Sequence, residues 1–216
     1  MSGMRAADRE DQGQSAGNIF MSTLSGKKVI GITGSMGSGK STAGKMLGKH
    51  IPVLDLDEVN RGLLEADGEG TNRLEKLDWM PIIDGSIDKA QLSLLMFQDE
   101  AKKRQVEAIL HPLLWEKMDE WTAQHNICAV EVPLLFETDS QNRFDEVWCV
   151  VCDEPVALER LKSGRHIDED EARRRLANQF DAKYKAEHSD CVIKNNGTAD
   201  ELEARITQLL KERTGE

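Results

Sequence analysis

The residues from Gly34 to Ser41 have the types and the spacing of a phosphate-binding loop. They read Gly-Ser-Met-Gly-Ser-Gly-Lys-Ser and fit the pattern G-x-x-x-x-G-K-[ST]. Backbone N–H groups in such a loop turn inward around phosphate oxygens, and glycine permits the conformations that a Cβ atom would block. Lys40 is then expected to reach the β- and γ-phosphates, and the Ser41 hydroxyl is placed for Mg²⁺.

The segments on either side of the loop support this interpretation. Residues 28–33 are predicted to form a buried strand and residues 41–49 a helix, which is the strand–loop–helix context that the motif requires. The start of that helix directs the positive end of its dipole at the bound anion. In and next to the loop, the predicted nucleotide contacts are Gly34, Ser35, Met36, Gly37, Ser38, Gly39, Lys40, Ser41 and Thr42.

Two carboxylates follow the next predicted strand. Residues 51–57 are predicted to form a short strand that ends in Asp55 and Asp57, before a helix over 58–65. Ligands of parallel α/β sheets bind at the carboxyl ends of the strands, so both aspartates are expected near the loop, pointing the same way if the strand continues. One can accept a proton from an attacking hydroxyl, and one can hold Mg²⁺ through water. The alternative is that Asp57 only caps the helix.

A helical insertion interrupts the alternation of strands and helices between residues 67 and 126. Its position above the active edge of the sheet suits a substrate that must face ATP. Pro112 is predicted to stop the long helix at His111 and restart it there, because proline disfavours helix interiors. His111 is assigned either a contact with substrate or only a role in that break.

Further charged residues are predicted at the same edge. Residues 127–132 form a buried strand with Glu131 near its end, which indicates a second acidic element able to support Mg²⁺ through water, as an alternative to Asp55.

Arg160 and Arg165 flank a predicted turn between two helices, the arrangement of a small lid over ATP. Arginine there would stabilise charge on the transferring phosphoryl group; the alternative is a solvated basic turn.

Composition narrows the class of protein. The chain has 216 residues, of which 39% are hydrophobic and 31% charged, as is typical of a soluble globular protein. Its net charge of −11 argues against nucleic-acid binding, because proteins with that role are usually basic. No segment resembles a signal peptide or an apolar span of membrane length, so a cytoplasmic protein without membrane partners is predicted.

The chain contains one CxxC pair, at Cys149 and Cys152. It falls in a predicted strand, where positions three apart face opposite sides of the sheet. Buried structural cysteines are therefore predicted rather than a redox pair or a metal site.

Five predicted strands with intervening helices indicate an α/β fold with a five-stranded parallel sheet and helices on both faces. The expected divisions are a disordered tail over 1–26, a nucleotide-binding core over 27–66 and 127–216 with a lid at about 160–182, and a helical substrate domain over 67–126.

From about Lys28 to its C-terminus the chain resembles the dephospho-CoA kinase family. The matching pieces beyond the phosphate loop are Asp55-Leu-Asp57, Asp84-Gly-Ser-Ile-Asp88, Leu94-Leu-Met-Phe97, Ile109-Leu-His111-Pro112, Val132-Pro-Leu-Leu-Phe-Glu137, Arg160, Gln179 and Asp190-Cys-Val-Ile-Lys-Asn-Asn-Gly197. The resemblance implies a three-layer P-loop kinase of the nucleoside-monophosphate-kinase type, with a helical CoA domain and a lid. It also implies phosphorylation of the ribose 3′-hydroxyl of dephospho-CoA by ATP and Mg²⁺, the last step of coenzyme A synthesis.

The resemblance assigns roles to individual residues. Asp57 matches the proposed general base, Lys40 and Ser41 match the phosphate and Mg²⁺ contacts, and Asn195 lies where the family holds adenine. Together with the arguments from the residues themselves, this gives Asp57, Lys40 and Arg160 as the predicted catalytic residues. The further predicted ATP contacts are Arg165 and Asn195. The predicted substrate contacts are Asp55, Asp57, Lys89 and His111. The chain departs from the family in having Lys89 where arginine is common, and lid arginines five rather than four positions apart.

ATP and dephospho-CoA are thus the expected partners of a monomer or weak homo-oligomer. Two other functions stay open. One is a P-loop kinase for another small metabolite. The other is a GTP-dependent switch protein, since Asp67-x-x-Gly70 mimics a switch motif although the Asn-Lys-x-Asp signature is missing.

Overall fold

A computed structural model describes residues 27–165 and 167–214, except for the side chains of Arg165 and Thr214. The strands are β1 Lys28–Gly34, β2 Val53–Asp55, β3 Ile82–Ile83, β4 Ser86–Ile87, β5 Ile127–Glu131, β6 Glu146–Val151 and β7 Cys191–Lys194. The helices are α1 Lys40–Leu47, α2 Leu56–Leu63, α3 Glu69–Leu74, α4 Lys89–Gln98, α5 Glu100–Thr122, α6 Glu154–Arg165, α7 Glu169–Ala177, α8 Ala182–Glu187 and α9 Ala199–Thr214. The tail predicted over residues 1–26 lies outside the described residues.

Five strands form one parallel sheet in the order β2-β5-β1-β6-β7, which confirms the predicted fold class. The phosphate loop leaves β1, the central strand. Glu131 of β5 is in register with Ile32 of β1 on one side and with Asp55 of β2 on the other. This register brings the two acidic residues and the phosphate loop to the same edge of the sheet, where parallel α/β proteins bind ligands.

Helices cover both faces of the sheet because successive apolar residues of its strands point in opposite directions. Ile30 and Trp148 pack with α1 and α9 in one buried cluster. Val29 and Val147, each one residue earlier, pack with α2 and the end of α5 in the other. The site-bearing edge is therefore held between two separate cores. Among the helices of the described ranges, none is both long and apolar enough to cross a membrane.

The helical insertion has a third core of its own. It is formed by Leu74, Met80, Ile87, Leu92, Val106 and Leu110. The strands β3 and β4 add a small hairpin whose turn residues, Asp84 and Gly85, have φ of 49° and 76°. An Asp-Gly pair with both φ values positive is the favoured two-residue hairpin turn, so the predicted turn here is part of a hairpin that the sequence did not reveal.

The long helix of the insertion continues through Pro112, so the predicted break at His111 is wrong. Proline removes one backbone hydrogen bond but does not end a helix that packing holds on both sides. Leu110 and Leu113, the residues flanking this pair, are both buried. The helix belongs to the insertion core through Leu110 and to the sheet core through Met118, and this packing outweighs the local cost.

Candidate active site

The phosphate loop has the glycine-dependent shape that its sequence predicts. Gly37 and Gly39 have φ of 82° and 91°, in the left-handed region that favours glycine. A Cβ atom at Gly39 would also collide with the side-chain amide of Asn195. That amide, which is buried, donates to the Ser38 carbonyl at 2.8 Å. A residue more than 150 positions away therefore fixes the loop from outside.

Lys40 and Ser41 meet Glu131 at the edge of the sheet. Oε1 of Glu131 accepts hydrogen bonds from Lys40 Nζ at 2.6 Å and from Ser41 Oγ at 2.5 Å. Glu131 is buried, and Gly44 of α1 leaves room for it, since a Cβ atom there would lie 2.8 Å from Glu131 Oε2. The structure thus joins three of the predicted site residues directly, and the ammonium offsets the cost of burying the carboxylate.

The two aspartates are arranged differently from the prediction. Strand β2 ends at Asp55, and Asp57 lies in the first turn of α2, so the expectation that both point the same way along a strand is wrong. Asp55 is the N-cap of α2: its Oδ1 accepts the N–H groups of Asp57 at 2.8 Å and Glu58 at 3.3 Å. The capping role considered for Asp57 therefore belongs to Asp55, and Asp57 has no such role.

The Asp57 carboxyl lies among charges of both signs. Partial burial raises its pKa, and Lys40 is the largest opposing influence. Asp55 and Glu131 raise the pKa further through like-charge repulsion, and Arg61 lowers it more weakly. A carboxylate with a raised pKa holds a proton more readily, which suits a general base.

A cavity of about 260 Å³ opens beside Asp57, between the sheet and the helical insertion. His111 lines it from α5, and its contact with substrate stays a prediction, since the helix does not break there. Lys89 is exposed at the start of α4 and is not among the lining residues. The cavity is lined by Leu56, Asp57, Asn60, Met96, Val106, Glu107, Leu110, His111, Leu114, Trp115, Val132, Pro133, Leu134 and Thr138.

A second cavity, of about 540 Å³, lies between the phosphate loop and α7. Ser35, Met36 and Ser38 line it from the loop side. Gln179 lines it from the far side, and its Oε1 accepts the Met36 N–H at 3.3 Å. Helix α7 and the residues that follow it lie across this cavity from the loop, as a lid would. We therefore name residues 169–182 the lid segment.

Arg173 is a residue of this cavity that the sequence argument missed. It lies on α7, where it forms ion pairs with Glu154 and, at 2.8 Å, with Glu169. Both Arg173 and Glu154 line the cavity over the phosphate loop. No local signal distinguished it, because Arg173, Arg174 and Arg175 follow one another on α7.

Arg160 contacts a different part of the chain from the one expected of a lid arginine. Its guanidinium donates to the backbone carbonyl of Asn195 at 2.9 Å and to that of Gly197 at 3.3 Å. Arg160 thus holds the loop after β7, which in turn supports the phosphate loop through Asn195. The side chain of Arg165 lies outside the described residues.

The four cysteines are free thiols; of the CxxC pair, Cys149 is buried as predicted, but Cys152 is only half-buried. Burial raises the pKa of Cys149 to about 11, so it stays protonated and unreactive at neutral pH. Cys152 follows β6 rather than lying within it, and its Sγ is 3.7 Å from the Gly37 carbonyl.

The segment that mimics a switch motif is a packed structural element. Gly70 lies in α3 and is buried, and a Cβ atom there would press against the Leu63 carbonyl and the side chain of Leu110. Glycine at this position is therefore explained by helix packing.

Known proteins resemble this chain over most of its length. Residues 28–201 match the family model described as dephospho-CoA kinase. A dephospho-CoA kinase of Oceanobacillus iheyensis is 34% identical over 191 residues, which cover 85% of this chain and 96% of that protein. One of Thermobifida fusca is 33% identical over 194 residues, with 85% and 94% covered.

Solved structures agree on the fold. A crystal structure from Thermus thermophilus superposes with a TM-score of 0.76 and 27% identity, covering 87% of this chain and 98% of that one. Dephospho-CoA kinase of Campylobacter jejuni has a TM-score of 0.58 at 21% identity, covering 88% and 99%, which bears on the fold alone.

The parallel sheet, the phosphate loop with its lysine, and the cavity that faces them define a P-loop kinase. The family match covers most of the described chain. The chain belongs to the dephospho-CoA kinase family.

Proposed function

We propose that this protein transfers the γ-phosphoryl group of ATP to the ribose 3′-hydroxyl of dephospho-CoA, giving CoA and ADP. The observation that carries the proposal is the position of Asp57. It lines the cavity next to the helical insertion, and it interacts with Lys40 of the phosphate loop. A nucleotide on the loop and an acceptor in the cavity would meet at this carboxylate.

Asp57 is proposed to accept the proton of the attacking hydroxyl. As the proton moves to the carboxylate, the 3′-oxygen bonds to the γ-phosphorus, and the bond to the bridging oxygen breaks to release ADP. Because Asp55 caps α2, the turn that presents Asp57 is held in place, which favours a productive approach of the two reactants.

Lys40 is proposed to offset the charge that develops on the transferring group. Its present partner is Glu131, so nucleotide binding would give the ammonium a second anionic partner. The N-terminus of α1 and the inward-facing amides of the loop act on the same phosphates. Arg160 is proposed to contribute by holding the loop after β7, next to which adenine is expected to bind at Asn195.

Magnesium is the proposed cofactor, and the side chains at the loop fit it. The Ser41 hydroxyl and the Glu131 carboxylate lie together at the end of β5, and oxygen atoms are the ligands that Mg²⁺ prefers. Ser41 would bind the ion directly, with Glu131 or Asp55 acting through water. When bound with ATP, the ion neutralises charge on the β- and γ-phosphates.

The core of the helical insertion supports the proposed domains, although the end of α5 packs in a core of the sheet. Residues 27–66 and 127–216 form the nucleotide-binding core with a lid at about 160–182, and residues 67–126 form the acceptor domain, whose separate core supports this division. Closure of the lid segment would exclude water, which otherwise competes as acceptor. We further propose a cytoplasmic monomer or weak homo-oligomer that binds neither nucleic acid nor membranes.

A panel of acceptors tests the proposed substrate. With Mg²⁺ and ATP, dephospho-CoA is expected to give ADP at a rate far above that obtained with AMP, pantetheine or shikimate. Equal or faster turnover of another acceptor would favour a different metabolite kinase. Binding of GTP without acceptor-dependent turnover would favour a switch protein.

Replacing Asp55 with asparagine is expected to move the acid limb of the kcat/KM profile to lower pH. The base must be ionised, so activity falls as pH drops through the pKa of Asp57, and removal of a neighbouring negative charge lowers that pKa. Asparagine keeps the N-cap. Asp99→Asn makes the same change at the N-cap of α5, is the matched control, and should leave the acid limb unmoved. An acid limb that stays in place or rises in Asp55→Asn would contradict the assignment.

Replacing Arg173 with glutamine is expected to reduce kcat/KM for ATP about 10- to 100-fold. A hydrogen bond to a charged group contributes about 1.5–3 kcal/mol, and 1.4 kcal/mol corresponds to about tenfold. We propose that Arg173 exchanges Glu154 for a phosphate when ATP enters the cavity. Arg174→Gln, one residue further on the exposed side of α7, is the control. Equal losses in the two variants would show that only the charge of the helix matters.

A further inference from the structure

The loop that follows β5 borders the acceptor cavity. Val132, Pro133, Leu134 and Thr138 all line that cavity. Glu137 belongs to the same loop, but its side chain extends away from the cavity towards the lid segment, where it meets residues that follow α7. The Glu of the Val-Pro-Leu-Leu-Phe-Glu stretch therefore has contacts that the proposed reaction does not use.

Glu137 makes two contacts, one with the end of the lid segment and one with the helix that follows it. Its Oε1 accepts the backbone N–H of Phe180 at 3.0 Å. The same oxygen lies 2.8 Å from Nζ of Lys185 on α8. Phe180 lines the nucleotide cavity, together with Asp181 and Ala182. One carboxylate oxygen thus joins the loop of one cavity to the segment that borders the other.

Burial of Lys185 makes separation of this ion pair energetically costly. Its side chain is 0% exposed, and that of Glu137 is 16% exposed. A buried ammonium requires a charged partner, because loss of that partner leaves an uncompensated charge in a medium of low polarity. The ammonium is not aligned for a hydrogen bond with Glu137, and Glu137 Oε2 has no hydrogen-bond partner among the described residues. The pair is therefore held by charge and burial, and small shifts of either element change its energy.

The segment around Lys185 is stiffened by stacked rings. Tyr184 stacks on Phe180 and His188, with centroids 4.4 Å and 3.9 Å apart, and Phe136 meets Tyr184 edge-on at 6.1 Å. Phe136 is the chain neighbour of Glu137. Towards the nucleotide, Gln179 bonds to the phosphate loop. A continuous set of contacts therefore runs from the phosphate loop to the acceptor cavity.

We propose that Glu137 and Lys185 form a positioning pair that couples the two substrate sites, so that a bound nucleotide tightens acceptor binding. A nucleotide that orders residues 179–182 fixes Phe180 and Lys185, and through them Glu137 and the loop of the acceptor cavity. The acceptor then meets a wall that is already ordered, and less entropy is lost when it binds. This inference rests on the proposed function, because it takes dephospho-CoA as the acceptor.

Calorimetric titration of dephospho-CoA tests the pair, with and without Mg²⁺ and a non-hydrolysable ATP analogue. In the wild-type chain the analogue is expected to lower the Kd of dephospho-CoA by about 5-fold or more, within the range typical of coupled sites. In the double variant Glu137→Gln, Lys185→Met the ratio is expected to approach one, while each Kd measured alone changes little. By linkage, dephospho-CoA must change the Kd of the analogue by the same factor.

Two further variants separate loss of coupling from loss of stability. Glu137→Gln alone leaves the Lys185 charge buried, so reduced stability is expected, and the double variant restores it. Lys183→Met on the same helix, where the side chain is 83% exposed and pairs with Glu187, should keep the wild-type ratio. Coupling that persists in the double variant, or is absent from the wild type, would overturn the proposal and leave the kinase assignment intact. A wild-type chain that binds no dephospho-CoA at all would instead overturn the proposed function.

Discussion

Replacing Asp57 with asparagine is expected to lower kcat by about 10²- to 10⁴-fold, the range typical of a lost general base. Asparagine has nearly the shape of aspartate but cannot take up the proton of the acceptor hydroxyl. Asp57 lines the acceptor cavity rather than the cavity over the phosphate loop, so the Kd of ATP should change little. Steady-state kinetics with dephospho-CoA and a separate ATP titration measure the two effects.

The same variant is expected to unfold at an equal or higher temperature than the wild-type chain. The folded-state pKa of Asp57 is raised above its ordinary value. Its contribution to stability is therefore present at pH below the unfolded pKa and is lost as pH rises through the folded pKa, so at neutral pH the ionised group opposes folding. Loss of activity together with unchanged or increased stability would indicate a functional role rather than a structural one.

Glu58→Gln is the matched control for Asp57→Asn, since it removes a carboxylate from the same helical turn but outside the cavity. It should keep kcat near the wild-type value. A full kcat in Asp57→Asn would exclude this residue as the base. A similar fall in both variants would point to the charge of the α2 terminus instead.

Replacing Lys40 with methionine is expected to reduce kcat by about 10²- to 10³-fold, the cost typical of removing one preorganised group that stabilises transition-state charge. Methionine preserves much of the side-chain length without the ammonium. The ATP analogue should also bind more weakly, because the same ammonium is proposed to contact the phosphates. Kinetics at saturating ATP separate the two effects.

The partner of Lys40 requires a second variant. Glu131 is 4% exposed and, among the described residues, would keep only Ser41 as its hydrogen-bond donor, so part of any loss could come from an unpaired buried charge. Lys40→Met combined with Glu131→Gln removes that charge and should regain stability but not kcat. Lys45→Met, at an exposed position of the same helix, is the control and should be fully active. Recovery of kcat in the combined variant would contradict a direct role for Lys40.

The parts of the protein that could be predicted from sequence are those encoded locally. The phosphate loop depends on glycines at fixed spacing, and the strands are short apolar runs buried on both faces. The order of the strands could not be predicted, because strand pairing depends on contacts between distant segments. The turn at Asp84 and Gly85 was predicted from their types, but the hairpin depends on pairing with the rest of the insertion.

The arrangement of Asp55 and Asp57 shows why a local sequence pattern can fit two different site geometries. An aspartate after a short strand can continue the strand or cap a helix, and both fit the same residues. Pairing with Glu131 on β5 ends the strand at Asp55, and this depends on a segment more than 70 residues away. Pro112 is a similar case, since burial of Leu113 in the full structure outweighs the local rule.

Contacts between charged residues far apart in the chain could not be predicted from the sequence. Glu137 and Lys185 are 48 positions apart, and nothing local distinguishes a buried lysine from an exposed one such as Lys183. Arg173 stands in a run of three arginines of equal chemical type, and only the packing of α7 on α6 places it at the nucleotide cavity.

The proposed kinase activity is tested most directly by identifying the product formed from ATP, Mg²⁺ and dephospho-CoA, by mass spectrometry and phosphorus NMR. One CoA, with a phosphomonoester on the ribose 3′-oxygen, is expected for each ADP released. Phosphate at another position, or ADP released with free phosphate and unchanged dephospho-CoA, would contradict it.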